Sequence, residues 1–517
     1  MYRILKAIKD AYITNKVMNN KFRVTDANTG RAGTLDLFKL YDESTLPSTS
    51  SGVTEISRTL IKFNLDPLRA LTGSVLDIND SSFDCRLQLT DVIGGQTLPS
   101  NFQIIVFPLS QSFDEGIGRD VVSFSDLDAC NFITSSYTGG NSILWNEQGA
   151  NKMGLLGASD IDIISSGTLH GGAGVVNLWR SQTFADGDEN LLVNVTPIVS
   201  ATLAGIIPDH GFRISYSGTL ETNNRTLFVK RFASRHATDT RITPRILVRY
   251  DDAVRDNTND FFFDLSGSVF LNNYHRGVAS NILSGAALTS VAGTSSLKLR
   301  LTTGSFEKVI TGSQYKTGQN FVTGVYSASF AVSSFDNTTV DNHGTLHDYV
   351  RDSGSITFKK FWSSFDNSVG YLTGTLKVNA INRTSFKNTP RRLLISITNA
   401  QPNYRADQRV TFRVFVDDLD YSPKAGKLPR ITPSLILPDM FYRVIDANSN
   451  DIVIPFDTGA TGQKSATRLS TDSDGMYFDV YMEDLSVGRL YRMEFMINDE
   501  GSSQVLEDTG VRFRIDP

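Results

Sequence analysis

His343 and His347 stand four residues apart, the spacing at which two imidazoles on one helical face grip a zinc ion. The residues between them include no glutamate to serve as a base, and Asp341-Asn342-His343-Gly344 reads as a loop, so no metal is expected there. Gly459-Ala460-Thr461-Gly462-Gln463-Lys464-Ser465 has the outline of a phosphate-binding loop. Gln463 separates the glycine from the lysine and no helical pattern follows, which points to a hairpin loop. Gly116-Ile117-Gly118 and the glycines at 171, 172 and 174 lack the strand–turn–helix setting of a dinucleotide site. No Gly-x-Ser-x-Gly elbow is present. Asp186-Gly187-Asp188-Glu189 and Asp472-Ser473-Asp474-Gly475 offer oxygen ligands for a structural calcium, yet neither completes an EF-hand loop, and both read as solvated turns. Carboxylate pairs for glycoside hydrolysis are assembled by the fold, and nothing in the spacing of the 55 acidic residues singles one out. No catalytic, metal or cofactor-binding residue is therefore assigned, and the chain is expected not to be an enzyme.

Trp145, Trp179 and Trp362 are the three tryptophans. In a β-sandwich such residues usually fill the core, but an exposed indole stacks on a sugar ring. Trp145, in the turn-like Leu144-Trp145-Asn146-Glu147-Gln148-Gly149, is the first candidate for exposure and for a glycan contact.

The elements that would position these residues are strands. Thr59, Ile61, Phe63 and Leu65 fall on one face; Cys85, Leu87 and Leu89 alternate with Arg86, Gln88 and Thr90. Leu191/Val193/Val195, Phe212/Ile214/Tyr216, Leu297/Leu299/Leu301, Val410/Phe412/Val414/Val416, Met476/Phe478/Val480/Met482 and Val511/Phe513/Ile515 repeat the pattern. A period of two, broken by Gly, Asn, Asp and Pro clusters, describes antiparallel sheets with one face on a core. Phe212–Tyr216 thus sends Arg213 and Ser215 toward water. Helices are few: Thr196–Ala204, capped by Thr196 with Pro197 in its first turn, and a short one within Arg3–Asp10.

The chain of 517 residues predicts about three domains. The polar run Asp251–Asp260 and a second break near Ala400–Gln408 divide it into 1–255, 256–400 and 401–517. The last is sized for an Ig-like sandwich, although the Cys-Trp-Cys signature is absent. The middle segment repeats Ser-Phe-Asp-Asn at Ser334–Asn337 and Ser364–Asn367, each before a turn. The expected class is all-β, a multidomain β-sandwich.

A net charge of −5 without a basic tract argues against nucleic acid as partner. No run of 18 apolar residues suggests a membrane span, and the N-terminus has no signal-peptide core. Cys85 and Cys130 are expected as free thiols from a reducing cytoplasm.

Lys9-Asp10-Ala11-Tyr12-Ile13, Thr29-Gly30, Ala32-Gly33-Thr34-Leu35, Asn190–Pro197 and Thr243–Tyr250, within residues 9–252, resemble the DNRLRE-type jelly rolls, a family related to carbohydrate-binding modules. So does Ser57-Arg58-Thr59-Leu60-Ile61-Lys62-Phe63-Asn64-Leu65, near the family's R-x-L-I-x-F-D-L strand. Asn64 replaces the usual Asp, and Phe113–Gly174 forms a long insertion. Such a domain followed by two β domains is similar to virion structural proteins of large tailed phages. The resemblance implies a jelly roll at 1–255 and a structural role in the tail, neck, baseplate or capsid exterior. The partners would be other virion proteins in an oligomeric assembly built in the host cytoplasm. A carbohydrate-binding adhesin, taking a host surface glycan, is the alternative.

Overall fold

The computed structural model describes every residue except 50, 93–98, 123–127, 169–173, 286, 342–343, 382–391, 421–433, 460–463, 500–501 and 508. The chain is nearly all β, as the alternation requires. It divides into two compact units. One comprises Arg3–Thr72 with Phe83–Arg249; the other comprises Met1–Tyr2, Gly73–Ser82 and Tyr250–Pro517.

The N-terminal unit is a barrel-like sandwich hydrogen-bonded as one ten-stranded sheet. Its longest strands, Tyr2–Thr14 and Thr54–Phe63, run antiparallel with Asp10 opposite Ile61. Arg3–Asp10, expected to be a short helix, lies inside the first of these, because Thr54–Phe63, paired from Ala7 onward, and Arg245–Arg249 on the other side take up its backbone hydrogen bonds. Thr54–Phe63 also pairs with Phe212–Tyr216 and Thr34–Tyr41. Asp84–Leu89 is flanked by Leu191–Asn194 and Arg245–Arg249, and buries Cys85, Leu87 and Leu89 completely. Neither cysteine forms a disulfide, and both are buried. The helix Thr196–Leu203 forms as expected, but Thr196 does not cap it; its hydroxyl accepts from the Cys85 N–H at 2.8 Å, pinning the helix to the neighbouring strand.

In the second unit, a seven-stranded sheet runs Phe261–Phe262, Gly370–Asn379, Ser355–Ser364, Leu297–Thr303, Phe306–Thr317, Asn320–Ala331, Ser266–Asn272. Trp362 sits at the centre of its core, fully buried among Leu297, Leu299, Phe306 and Phe358. The helix Leu346–Ser353 packs on this sheet, started by a Thr345–Asp348 capping box and stopped by Gly354 in the left-handed region. Both Ser-Phe-Asp-Asn phrases make the same local turn: Asp336 accepts from the Thr338 N–H, and Asp366 from the Ser368 N–H.

The C-terminal part is a β-sandwich of two sheets. Leu393–Ile397, Arg409–Asp418, Gly475–Tyr481 and Ser470–Asp472 form one. Asn403–Arg405, Arg512–Asp516, Leu490–Asp499, Met440–Asp446 and Ile452–Ile454 form the other, with Ser502–Leu506 paired to Leu490–Asp499. Tyr442 of one layer stacks on Phe478 of the other at 4.4 Å, and Phe478 stacks on its sheet neighbour Phe412 at 5.3 Å. Leu393–Ile397 pairs with Arg409–Asp418, so this sandwich begins upstream of the break expected at 400. The run Asp251–Asp260, expected to be a linker, is tied to the sandwich: the Asp256 N–H donates to Thr471 O, and the Thr471 N–H to Val254 O.

Candidate functional site

The long insertion after strand Phe102–Pro108 is the feature the sheet pattern does not require. It holds a hairpin, Thr134–Thr138 with Asn141–Leu144, and a three-stranded sheet of Met153–Leu155, Ile163–Thr168 and Val175–Asn177. Its inner side covers the second face of the sandwich. Ala11, Ile13, Leu60, Phe107 and Leu109 from the sheet pack with Phe113, Cys130, Trp145, Ala150 and Ile163 from the insertion. Trp145 is therefore core, 5% exposed, with Nε1 donating to Asn131 O at 3.0 Å. Its expected exposure, and with it the glycan contact, is corrected: the turn around it folds inward onto the sheet.

Three polar knots hold the insertion. Asp162, fully buried, accepts from Gln111 Nε2 (2.7 Å), the Asn146 N–H and Nδ2, the Glu147 N–H (3.0 Å) and the Lys152 N–H (2.9 Å). Arg58 donates to Gly149 O at 2.7 Å and clamps Glu221 through Nε and Nη2. Asn28 donates to Glu115 O and Cys130 O and accepts from the N–H groups of Gly30 and Gly118. A Cβ on Gly30 would stand 1.9 Å from Glu115 O, so only glycine permits this approach.

On this fixed base the insertion exposes seven large apolar residues between Tyr137 and Val176. They are Tyr137, Ile143, Leu144, Met153, Leu155, Val175 and Val176, with Val175 68% exposed. Gly154 faces Ile161, which turns Met153 and Leu155 outward together. Isolated exposed apolar residues are ordinary, but such a concentration on one anchored insertion is what a docking surface presents.

At the edge of the same unit, Asp10, Glu115 and His236 bring carboxylate and imidazole atoms within 4.8 Å of one another, the one such group among the described residues. Arg235 Nε and Nη2 each donate to Glu115 at 2.5 Å, and the Asp10 N–H donates to Glu115 Oε1 at 2.9 Å. Glu115 is thus already committed to a guanidinium, and a cation would have to displace Arg235 to use this donor set. What the group holds as it stands is a proton. Burial, reinforced by the Glu115 charge and only partly offset by Arg235, pushes the Asp10 carboxyl up to about 7. A carboxyl raised in the folded state contributes stability that is full below its unfolded value, near 3.8, and lost as pH rises through about 7. Asp10→Asn is therefore expected to stabilise the unit above about pH 7 and to change little near about pH 4. Denaturant unfolding across that window checks this; a gain independent of pH would refute it. Residues 10, 115 and 236 carry no common spacing, so no sequence motif announced them.

The chain matches no protein-family model and no curated protein. Solved structures with a distant likeness include the N-terminal Ig1-2 module of Drosophila receptor protein tyrosine phosphatase DLAR, at 6% identity and TM-score 0.12, covering 52% of this chain and 95% of that one. The BSP domain of a biofilm associated protein is 8% identical, with TM-score 0.15, over 100% of this chain and 90% of that one. Salmonella alpha-2-macroglobulin reacted with methylamine is 8% identical, with TM-score 0.15, over 99% of this chain but 28% of its own length. Likenesses at these scores carry no functional argument, and the insertion is read from its own geometry.

The other residues marked in the sequence have structural duties. His347 lies on the helix Leu346–Ser353, not in a loop; its Nδ1 is 2.9 Å from Ser334 O and its ring stacks on Phe335. His343 lies outside the described residues, as do Gly171 and Gly172 and positions 460–463 of the phosphate-loop look-alike. Burial raises the Glu189 carboxyl, but the N–H groups of Ala185, Asp186 and Gly187 outweigh it and hold it at about 2. Glu189 thus closes its own turn. Asp472 pairs with Arg413 at 2.7 Å. Both acidic clusters considered for calcium are accordingly tied into local hydrogen bonds or ion pairs. Trp179 is partly buried against the sheet face under the insertion.

Proposed function

We propose that this chain is a non-catalytic structural subunit of a tailed-bacteriophage particle, which docks to other virion proteins through the insertion of its N-terminal unit. The observation that carries the reading is the set of exposed apolar residues from Tyr137 to Val176 on a base locked by Asp162, Arg58 and Asn28. Burying such residues against a partner is the main favourable term in association. The resemblance of residues 9–252 to phage-associated jelly rolls suggests the partner class, and protein sandwiches need no chemistry to assemble.

The test is incorporation into particles. Leu144, Met153 and Val175 are each more than half exposed, so the triple change Leu144→Asp/Met153→Asp/Val175→Asp leaves the core untouched. Wild-type chain is expected in purified virions, and the triple variant should fold normally yet fall at least about tenfold in incorporation. Absence of the wild-type chain from particles, or equal incorporation of the variant, would overturn the proposal.

A further inference from the structure

Beyond strand Ser266–Asn272 the chain leaves the seven-stranded sheet and makes two small hairpins. Tyr274–His275 pairs with Val278–Ala279, and Leu283–Ser284 with Thr289–Ser290. Between these hairpins and Thr323, Tyr371 and Leu372 lies an open groove of about 770 Å³. Small-ligand sites commonly span about 300–1,000 Å³.

The floor of the groove is held by hydrogen bonds already in place. Asn281 Oδ1 accepts from the Gly324 N–H at 2.7 Å and from Gln314 Nε2 at 3.1 Å. Asn273 Nδ2 donates to Ser280 O at 2.7 Å. Tyr326 accepts from the Ile282 N–H and donates to Val291 O. Gly324 has a φ of +75°, and a Cβ there would stand 2.7 Å from Asn273 O, so the close strand approach under the groove requires glycine.

What remains unused identifies the ligand. Nδ2 of Asn281 and Oδ1 of Asn273 have no partner among the described residues. The Tyr371 hydroxyl is enclosed and likewise has no hydrogen bond among the described residues. Tyr274 is 64% exposed, offering a ring face at the rim. Leu271, Ile282, Leu283 and Leu372 supply apolar wall, and no Asp, Glu, Lys or Arg lines the groove. Unpaired donors and acceptors without charge, beside apolar wall and a tyrosine ring, match a molecule bearing hydroxyls around its edge and C–H groups on its faces. Apart from the His275 imidazole, an anion or cation would find no countercharge in these walls.

The geometry points to a binding site for a neutral oligosaccharide in this groove, with a sugar ring against Tyr274 and its hydroxyls on Asn273 and Asn281. The inference does not depend on the docking function above. It replaces the buried Trp145 with a site in a different part of the chain.

The experiment uses the full chain on an array of neutral and acidic oligosaccharides, followed by calorimetric titration with the best-retained neutral glycan. Neutral glycans are expected to be retained, and their carboxylated or sulfated counterparts to bind less well. Tyr274→Ala should weaken binding about tenfold or more, through loss of the ring face. Tyr371→Phe, which keeps the ring and removes only the enclosed hydroxyl, should bind like wild type. Phe22→Ala, at an exposed position in the other unit, should bind like wild type. Circular dichroism confirms that each variant is folded. Retention of no neutral glycan, a preference for acidic ones, or wild-type affinity in Tyr274→Ala would overturn the inference.

Discussion

Glu221→Ala is expected to destabilise the N-terminal unit by about 3–5 kcal/mol. The carboxylate lies between two buried guanidiniums: the side chain of Arg58 is 4% exposed and that of Arg213 is 3% exposed. Arg58 holds it through Nε at 3.1 Å and Nη2 at 2.7 Å, and Arg213 Nη2 lies 3.8 Å away. Burial alone would raise the Glu221 carboxyl, but the two arginines reverse this and hold it below the usual carboxylate range. Its stabilising contribution is therefore present above the unfolded pKa and lost as pH falls through the depressed folded one. Removing the carboxylate leaves two like charges desolvated side by side, which costs more than the pair itself contributes. Denaturant titration measures the loss. Glu221→Gln, which keeps the shape and an acceptor but not the charge, should fall between. Arg58→Met/Arg213→Met/Glu221→Leu should recover most of the loss, because an apolar trio needs no countercharge. A loss under about 1 kcal/mol for Glu221→Ala would show that water reaches the arginines and would refute this account.

Asp162→Ala is expected to cost about 3 kcal/mol and to loosen the insertion before the sheet beneath it. The side chain accepts from Gln111 and Asn146 side-chain amides and from the N–H groups of Asn146, Glu147 and Lys152. Those backbone groups belong to the turn that carries Trp145 inward and to the start of strand Met153–Leu155. Without the carboxylate they lose their acceptor at a covered position, and water must enter to satisfy them. Amide hydrogen exchange should accelerate at Asn146, Glu147 and Lys152, while strand Asp84–Leu89 keeps its protection until global unfolding. Asp162→Asn should be nearly as damaging, since its NH₂ would face donors on one side. Unchanged exchange at those three amides would show that Asp162 does not organise the insertion. The same variant should lose incorporation into particles if the apolar outer side is the docking face, because that side depends on the fixed turn.

Much of the fold was legible in the sequence. Cys85/Leu87/Leu89, Leu297/Leu299/Leu301 and Met476/Phe478/Val480 are buried as their alternation requires. Period two is a local property of an extended chain, so each strand declares its own apolar face. The all-β class followed. The second face of a strand is not local. Arg58 and Arg213 sit on the polar side of their strands, yet both are buried, because an insertion contributed by residues far along the chain covers that side. Trp145 was misread for the same reason: a turn-like sequence says that the chain reverses, not whether it reverses into water or onto a sheet. Arg3–Asp10 alternates poorly, but two neighbouring strands supply its hydrogen bonds and make it the longest strand of the unit. The group of Asp10, Glu115 and His236, and the groove formed by Asn273, Asn281 and Tyr371, join positions with no common spacing. Side-chain type and period set which residues could face a core. Only the folded chain decided which polar groups were carried out of water together, because that depends on which distant segments come to lie on top of them.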